Sequence, residues 1–303
     1  MEIQIITGFL GAGKTTFLNK YLPLLTGKTA VIENEFGDMG IDADLIRKSV
    51  QVKEIYAGCI CCNLAGDFME CIREIKDTYS PDCIVIEPSG VGRLSDVIKA
   101  CEMVRGGGDK DIQVTRLICI VDVTAFDDYY GEFGSFYADQ IQYAKLLLLS
   151  HVDKISSEEK LSLVNRLKEL NPSAAVYDGD WRVMKGRQLL TLIKTIEAYD
   201  LAAHKISRPS IPADKVFSSI SIVIEKIMAE EEIQEKLKEL GKKTYGHVLR
   251  AKGILRGAKG KDMVIDYTPY KVECRDIDNS HKRGIVIIGC GLDKLAIEKL
   301  FQG

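Results

Sequence analysis

Between an apolar run, Ile3 to Thr7, and a helical pattern that opens at Lys14, the chain reads Gly8-Phe9-Leu10-Gly11-Ala12-Gly13-Lys14-Thr15. No other stretch constrains the fold as strongly. It satisfies the full spacing of a phosphate-binding loop and sits where a strand gives way to a helix. Glycines let successive backbone N–H groups turn toward one anion, and the helix N-terminus adds a favourable dipole. On this reading Gly8, Gly11, Ala12 and Gly13 line the cradle and Lys14 reaches the β- and γ-phosphates. The Thr15 hydroxyl binds Mg²⁺, and Thr16 donates to the α-phosphate. The plain alternative is a glycine-rich strand-to-helix turn.

Such a loop needs a sheet to carry it, and the following rhythm supplies one. Thr29 to Ile32, Val50 to Ile55, Cys83 to Glu87, Leu117 to Val123, Leu146 to Leu149 and Ala174 to Tyr177 read as strands. Leu64 to Lys76, Ser157 to Leu170 and Gly186 to Tyr199 read as helices. Strands alternating with helices predict an α/β domain with a mostly parallel sheet. Pro209 and Pro212 mark 205–215 as a linker. Beyond it the pattern changes. Val216 to Glu225, Leu249 to Leu255, Asp262 to Tyr267 and Gly284 to Ile288 read as strands, and Ala229 to Leu240 and Leu292 to Phe301 as helices. The expected organisation is a phosphate-loop domain over 1–204, the linker, and a smaller α+β domain over 216–303.

Two further segments bear on the phosphate site. Glu87-Pro88-Ser89-Gly90 follows an apolar strand. Its carboxylate is placed to hold Mg²⁺ directly or through water, and the Gly90 N–H to meet the γ-phosphate; the alternative is an ordinary loop acid. Lys14 and Glu87 are thus the candidate catalytic pair. Ser150-His151-Val152-Asp153 ends the strand that opens at Leu146. Guanine-specific proteins of this type place Asn-Lys-x-Asp here, and the Asp accepts from guanine N1–H and the exocyclic amine. Asp153 keeps that role, whereas Ser150 and His151 depart from the pattern and weaken it. Arg93, just past Gly90, is either directed at phosphate or structural.

The chain has nine cysteines. The odd number, the length and the absence of an export-type leader argue against a disulfide framework. Cys83 and Cys119 lie in apolar strand-like runs and read as core. Gly58-Cys59-Ile60-Cys61-Cys62-Asn63 is different, because it crowds three thiols into four positions. Thiolates that close repel one another unless a soft cation binds them, and Zn²⁺ suits such ligands. Three near ligands leave a fourth position for water, another side chain or a partner. Redox thiols and plain packing are the alternatives.

Taken together these residues resemble the CobW family of metallochaperone GTPases, relatives of UreG and HypB. The resemblance runs through Gly8 to Thr16, Glu33-Asn34-Glu35-Phe36-Gly37 with Asp42, the Cys59/Cys61/Cys62 motif and Glu87 to Gly90. Asp122, Asp139-Gln140 and, downstream, Arg250-Ala251-Lys252-Gly253 also fit. It implies a GTPase, slow without its client, whose nucleotide state governs binding of zinc or a similar thiophilic ion and delivery to a client metalloprotein. It also implies GTP or GDP with Mg²⁺ as cofactors, and Glu87, Asp42 or Glu35 as the acid that positions metal or water. The stretch from Glu33 to Cys62 falls where switch regions of such GTPases lie. A phosphotransferase acting on a small molecule and a nucleotide-gated sensor or scaffold are the rival readings.

Charge and hydropathy narrow the partners. The formal net charge is −3, with 41 Lys+Arg against 44 Asp+Glu, which argues against a broad nucleic-acid footprint. No run approaches the roughly 18 apolar residues of a membrane span. Acidic Glu2 stands where a leader would be basic, and Lys14 interrupts the first apolar stretch, so the expected compartment is the cytoplasm.

Overall fold

A computed structural model describes residues 1–35, 51–56, 64–201, 216–258, 260–277 and 283–302. The linker at 205–215, Asp42 and the cluster Cys59, Cys61 and Cys62 lie outside these described residues. The chain divides into two compact units.

In the first unit the phosphate-loop strand is central. Strands β1 (Glu2–Gly8), β2 (Thr29–Glu35), β3 (Gln51–Tyr56), β4 (Cys83–Glu87), β5 (Gln113–Asp122), β6 (Leu146–Ser150) and β7 (Ala175–Tyr177) form one sheet. Their order is β3-β2-β4-β1-β5-β6-β7. The β2–β4, β4–β1, β1–β5, β5–β6 and β6–β7 pairs are all parallel. β4 and β6 are buried at every position. Strands covered on both faces carry continuous apolar runs rather than alternation, which explains Cys-Ile-Val-Ile and Leu-Leu-Leu-Leu. Cys83 and Cys119 are core residues, and burial pushes both thiols up to about 12.

Helices α1 (Lys14–Tyr21) and α2 (Leu64–Tyr79) are followed by α3 (Leu94–Gly106), α4 (Phe126–Phe133), α5 (Ser135–Tyr143), α6 (Ser157–Leu170) and α7 (Gly186–Lys194). One face of the sheet, with Ile6, Val31, Val85, Ile118, Ile120, Leu146 and Leu148, packs against Phe17, Leu18 and Tyr21 of α1 and Leu189 and Ile193 of α7. Phe68, Ile72 and Ile75 on α2 and Leu94, Val97, Ile98, Cys101 and Val104 on α3 are buried at helical spacing. α6 starts on a reciprocal cap. Ser156 Oγ accepts from the Glu159 N–H at 3.2 Å, and Glu159 Oε2 accepts from the Ser156 N–H at 2.7 Å.

The second unit has the antiparallel order β12-β11-β10-β13-β8, from β8 (Ser218–Ile222), β10 (His247–Gly257), β11 (Asp262–Thr268), β12 (Lys271–Ile277) and β13 (Gly284–Cys290). Short β9 (Ile227–Met228) adds to β10 in parallel. Ile233 and Leu237 of α8 (Glu230–Glu239) and Ile297 and Phe301 of α9 (Lys294–Gln302) join Ala251, Leu255, Ile265, Ile285 and Ile287 in one core. This is the expected α+β arrangement.

The elements that sequence patterning passed over have physical reasons. α3 and α4 start at Arg93 and Ala125, neither of which makes a side-chain cap. β12 reads Lys-Val-Glu-Cys-Arg-Asp-Ile with no buried alternation, as an edge strand does. α7 ends at Lys194, short of the expected Tyr199, whose N–H instead donates to the Val114 carbonyl at 2.9 Å. Among the described residues no helix is long and apolar enough to cross a membrane.

Candidate nucleotide site

The carboxyl ends of β1, β2, β4, β5 and β6 bring Gly8, Glu33, Glu87, Asp122 and Ser150 to one edge of the parallel sheet. Consecutive strands leave β1 toward opposite sides of the sheet, so this edge is the crevice where open α/β sheets bind ligands.

The loop after β1 is held from beneath and from the side. Phe9, 2% exposed, sits in an aromatic cluster with ring centroids 4.5 Å from Tyr129, 5.3 Å from Phe133 and 5.3 Å from Tyr137. Such pairs add about 0.5–1.5 kcal/mol each beyond area burial. Gly13 has φ 101°, left-handed backbone that only glycine adopts cheaply, and no side chain caps the helix it opens. The first N–H groups of α1 therefore face the loop's concavity. Lys14 is buried, with Nζ 3.4 Å from the Phe9 carbonyl, so its ammonium curls back over the loop. Thr15 is half-buried and Thr16 exposed. The Trp181 ring packs edge-on against Phe17 at 5.6 Å and underlies Gly13.

The loop after β4 leans on the phosphate loop. A Cβ on Gly90 would lie 2.9 Å from the Leu10 nitrogen, so only glycine allows this approach. Gln140 clamps the same loop, donating from Nε2 to the Gly90 carbonyl at 2.9 Å and the Gly92 carbonyl at 2.8 Å. Asp139 Oδ1 accepts from the Ser95 N–H at 3.0 Å, and burial raises its carboxyl pKa. Arg93 lies 4.0 Å over the Phe136 ring, 3.9 Å from Asp139 Oδ2. Of its two sequence readings, this geometry is the structural one. Ser89 Oγ is buried beside Glu87 with no hydrogen-bond partner among the described residues.

Glu87 is buried, and Glu33 pairs with it across β2 and β4 and is buried too. Glu33, Glu87 and the Thr15 hydroxyl offer hard oxygen atoms, the ligand type that Mg²⁺ takes. Sequence patterning named Glu33 only within a longer motif; the strand register is what sets it beside Glu87. Among the described residues no cluster of three or more His, Cys, Asp or Glu side chains is arranged for a metal ion.

At the base end, Asp153 lies on the turn Val152–Lys154 and is exposed. Arg182 Nη2 donates to its Oδ1 at 2.5 Å. Its own backbone N–H and then Arg182 hold the Asp153 carboxyl below the usual carboxylate range. His151 has φ 58°, an uncommon left-handed conformation for a side-chain-bearing residue, and its Nδ1 lies 3.1 Å from Asp122 Oδ2. Asp122 also accepts from the Thr124 N–H at 2.8 Å and the Thr124 hydroxyl at 2.6 Å. Burial raises the Asp122 pKa, but the His151 and Thr124 contacts outweigh it and leave it lowered. His151 is thus engaged with the end of β5. Arg182 carries no motif signal, because its partner Asp153 is 29 residues earlier.

Comparison with known proteins covers nearly the whole chain. A family model described as the CobW/HypB/UreG nucleotide-binding domain matches residues 2–178. A second, the cobalamin synthesis protein cobW C-terminal domain, matches residues 217–303. The zinc chaperone YjiA of Escherichia coli (strain K12) is 30% identical over 274 residues, 84% of this chain and 81% of that protein. Zinc-regulated GTPase metalloprotein activator 1 of Dictyostelium discoideum is 24% identical over 63% of this chain, and the match spans 48% of that protein, about half its length. Among solved structures, Zn(II)-bound YjiA GTPase from E. coli aligns over 100% of this chain and 98% of its own, at 22% identity and a TM-score of 0.45.

Proposed function

The chain belongs to the CobW family, and we propose from that premise that it is a GTP-dependent metallochaperone. It binds and hydrolyses GTP, takes up a thiophilic divalent ion, zinc in the first instance, and hands it to a client metalloprotein. The observation that carries the reading is the shape of the phosphate loop: a left-handed Gly13 opening an uncapped helix, with Lys14 folded over it. A backbone so arranged is complementary to an anion before the anion arrives.

The residues divide the work as follows. Gly8, Gly11, Ala12 and Gly13 present N–H groups to the phosphates, and Lys14 neutralises the charge that builds on the β- and γ-oxygens. Thr16 donates to the α-phosphate, and the Gly90 N–H faces the γ-phosphate. Thr15 and Glu87 hold Mg²⁺, with Glu33 beside them; Asp42 is the further candidate. Bound there, Mg²⁺ supplies Lewis-acid neutralisation of phosphate charge. Glu87 orients the attacking water. Asp153 accepts from guanine N1–H and the exocyclic amine, which adenine does not offer. Cys59, Cys61 and Cys62 bind the cargo as thiolates, so loading releases protons and weakens at acidic pH. The client and the nucleotide are the partners.

Phosphate release from GTP and from ATP, each with and without added Zn²⁺, tests this. GTP turnover well above ATP turnover, and responsive to zinc, is the expected result. Equal turnover of both nucleotides with no response to zinc would point to the phosphotransferase.

A further inference from the structure

The base end holds a side chain that this division of labour leaves unused. Arg182 sits on the turn Trp181–Val183, which follows β7. Its guanidinium grips Asp180 through Nε to Oδ1 at 2.8 Å and Nη2 to Oδ2 at 2.9 Å. The same Nη2 reaches Asp153 Oδ1 at 2.5 Å. The main chain is pinned as well. The Arg182 N–H donates to Asp180 Oδ1 at 2.9 Å, and the Arg182 carbonyl accepts from Lys20 Nζ of α1 at 2.7 Å. Backbone and guanidinium are therefore both fixed from within the turn and from the phosphate-side helix.

Asp153 is the less constrained partner, with a side chain 57% exposed against 36% for Arg182. A carboxylate offers about four lone-pair sites on two oxygens. Arg182 takes one on Oδ1 and the Asp153 backbone N–H takes another, which leaves about two for further donors. Guanine N1–H and its exocyclic amine are two donors side by side. The pattern residue that would stand nearest, His151, has its Nδ1 3.1 Å from Asp122 Oδ2 instead.

We propose that Arg182, anchored by Asp180, is a positioning residue that sets guanine specificity by holding the Asp153 carboxylate turned toward the base. The proposal rests on the guanine reading of Asp153 and adds a determinant from a second loop. The contact is charge-assisted and fork-shaped, the geometry in which arginine outperforms lysine. Asp180 keeps the guanidinium from swinging into the base's place. Its carboxyl is held below the usual range, chiefly by its hydrogen bond with Arg182.

The test is a calorimetric titration of the full chain with GDP and with ADP at fixed Mg²⁺, for the parent, Arg182→Ala, Arg182→Lys, Asp180→Asn, Asp153→Asn and the Arg182→Ala/Asp153→Asn pair. Thermal midpoints serve as the folding control. Arg182→Ala should lower GDP affinity about tenfold, the scale of one charge-assisted hydrogen bond, and leave ADP affinity unchanged. Arg182→Lys should restore part of the loss, and Asp180→Asn should show a smaller loss of the same kind. In the Asp153→Asn background Arg182→Ala should add nothing. The pH profile adds a readout that a merely structural role would not move. In the parent GDP affinity should persist until pH falls through the depressed Asp153 pKa, and in Arg182→Ala the loss should begin at higher pH. Equal losses for GDP and ADP, no loss, or a gain in GDP affinity would each overturn the proposal, the last by showing that Arg182 competes with the base. A parent that binds GDP no better than ADP would overturn the guanine reading itself, and this proposal with it.

Discussion

The phosphate end and the base end of the candidate site are built by different means. At the phosphate end the proposed recognising groups are backbone N–H groups, and their supports are buried: Phe9 in its aromatic cluster, Gly90 against Leu10, Gln140 on the Gly90 and Gly92 carbonyls. At the base end the proposed recognising group is a single exposed carboxylate, paired with an arginine from a separate turn. The first design fixes geometry through packing and tolerates little change in its neighbours. The second fixes it through one ion-pair cluster that is open to water and can be retuned one side chain at a time. The difference teaches where catalysis and where selectivity reside: disturbing the first should cost turnover with any nucleotide, disturbing the second should cost discrimination.

The largest effect should come from emptying the support under the phosphate loop. Phe9→Ala should destabilise the chain by about 3–5 kcal/mol, as large-to-small changes of buried aromatics do. Denaturant unfolding measures this, and a change within error of zero would mean that the aromatic cluster does not set the loop. Lys14→Ala should leave stability nearly intact but cut GTP turnover about 100-fold or more, the scale of losing one preorganised transition-state donor. Trp181 is the chain's single tryptophan and underlies Gly13, so its emission reports nucleotide binding in parent and variant alike. Undiminished GTP affinity and turnover in this variant would remove the phosphate assignment.

The base end should respond differently. Asp153→Asn should reduce GTP affinity by about tenfold or more and improve xanthosine triphosphate relative to GTP, because the ring position it meets reverses its donor and acceptor sense. Parallel losses for GTP and ATP would erase the contrast drawn between the two ends. At the clamp on the Gly90 loop the effect should fall on stability rather than on affinity. Gln140→Ala strips hydrogen bonds from the Gly90 and Gly92 carbonyls and should cost about 1–3 kcal/mol of stability. A loss of turnover larger than the loss of stability would show that the clamp also aims the Gly90 N–H.

The same contrast explains what was legible in the sequence. The phosphate loop is contiguous, and its glycines are there for backbone reasons, so residue type alone shows the geometry. The strands of the parallel sheet are legible because burial on both faces writes unbroken apolar runs, as in Leu146 to Leu149. α4 and α5 are not, being helices of 8 and 9 residues split at Gly134, and α3 begins at Arg93 with no side-chain cap to mark it. Glu33 acquires its place only through the register that sets β2 beside β4. Arg182 was silent because nothing in Asp178-Gly179-Asp180-Trp181-Arg182 marks it; its meaning comes from Asp153, which folding alone brings near. His151 departs from the guanine pattern, and its left-handed backbone sets Nδ1 3.1 Å from Asp122 Oδ2, a placement that residue type alone does not show.

Nucleotide state and metal cargo are proposed to be coupled, and one measurement tests that coupling directly. Zinc affinity of the full chain is measured by competition with a chelating dye, once with Mg²⁺·GDP and once with Mg²⁺ and a non-hydrolysable GTP analogue. Zinc should bind more tightly in the GTP-analogue state by about 5–150-fold, and by linkage should tighten the analogue by the same factor. A Cys59→Ser, Cys61→Ser, Cys62→Ser variant should lose both the binding and the coupling. Identical zinc affinities in the two nucleotide states would contradict the account.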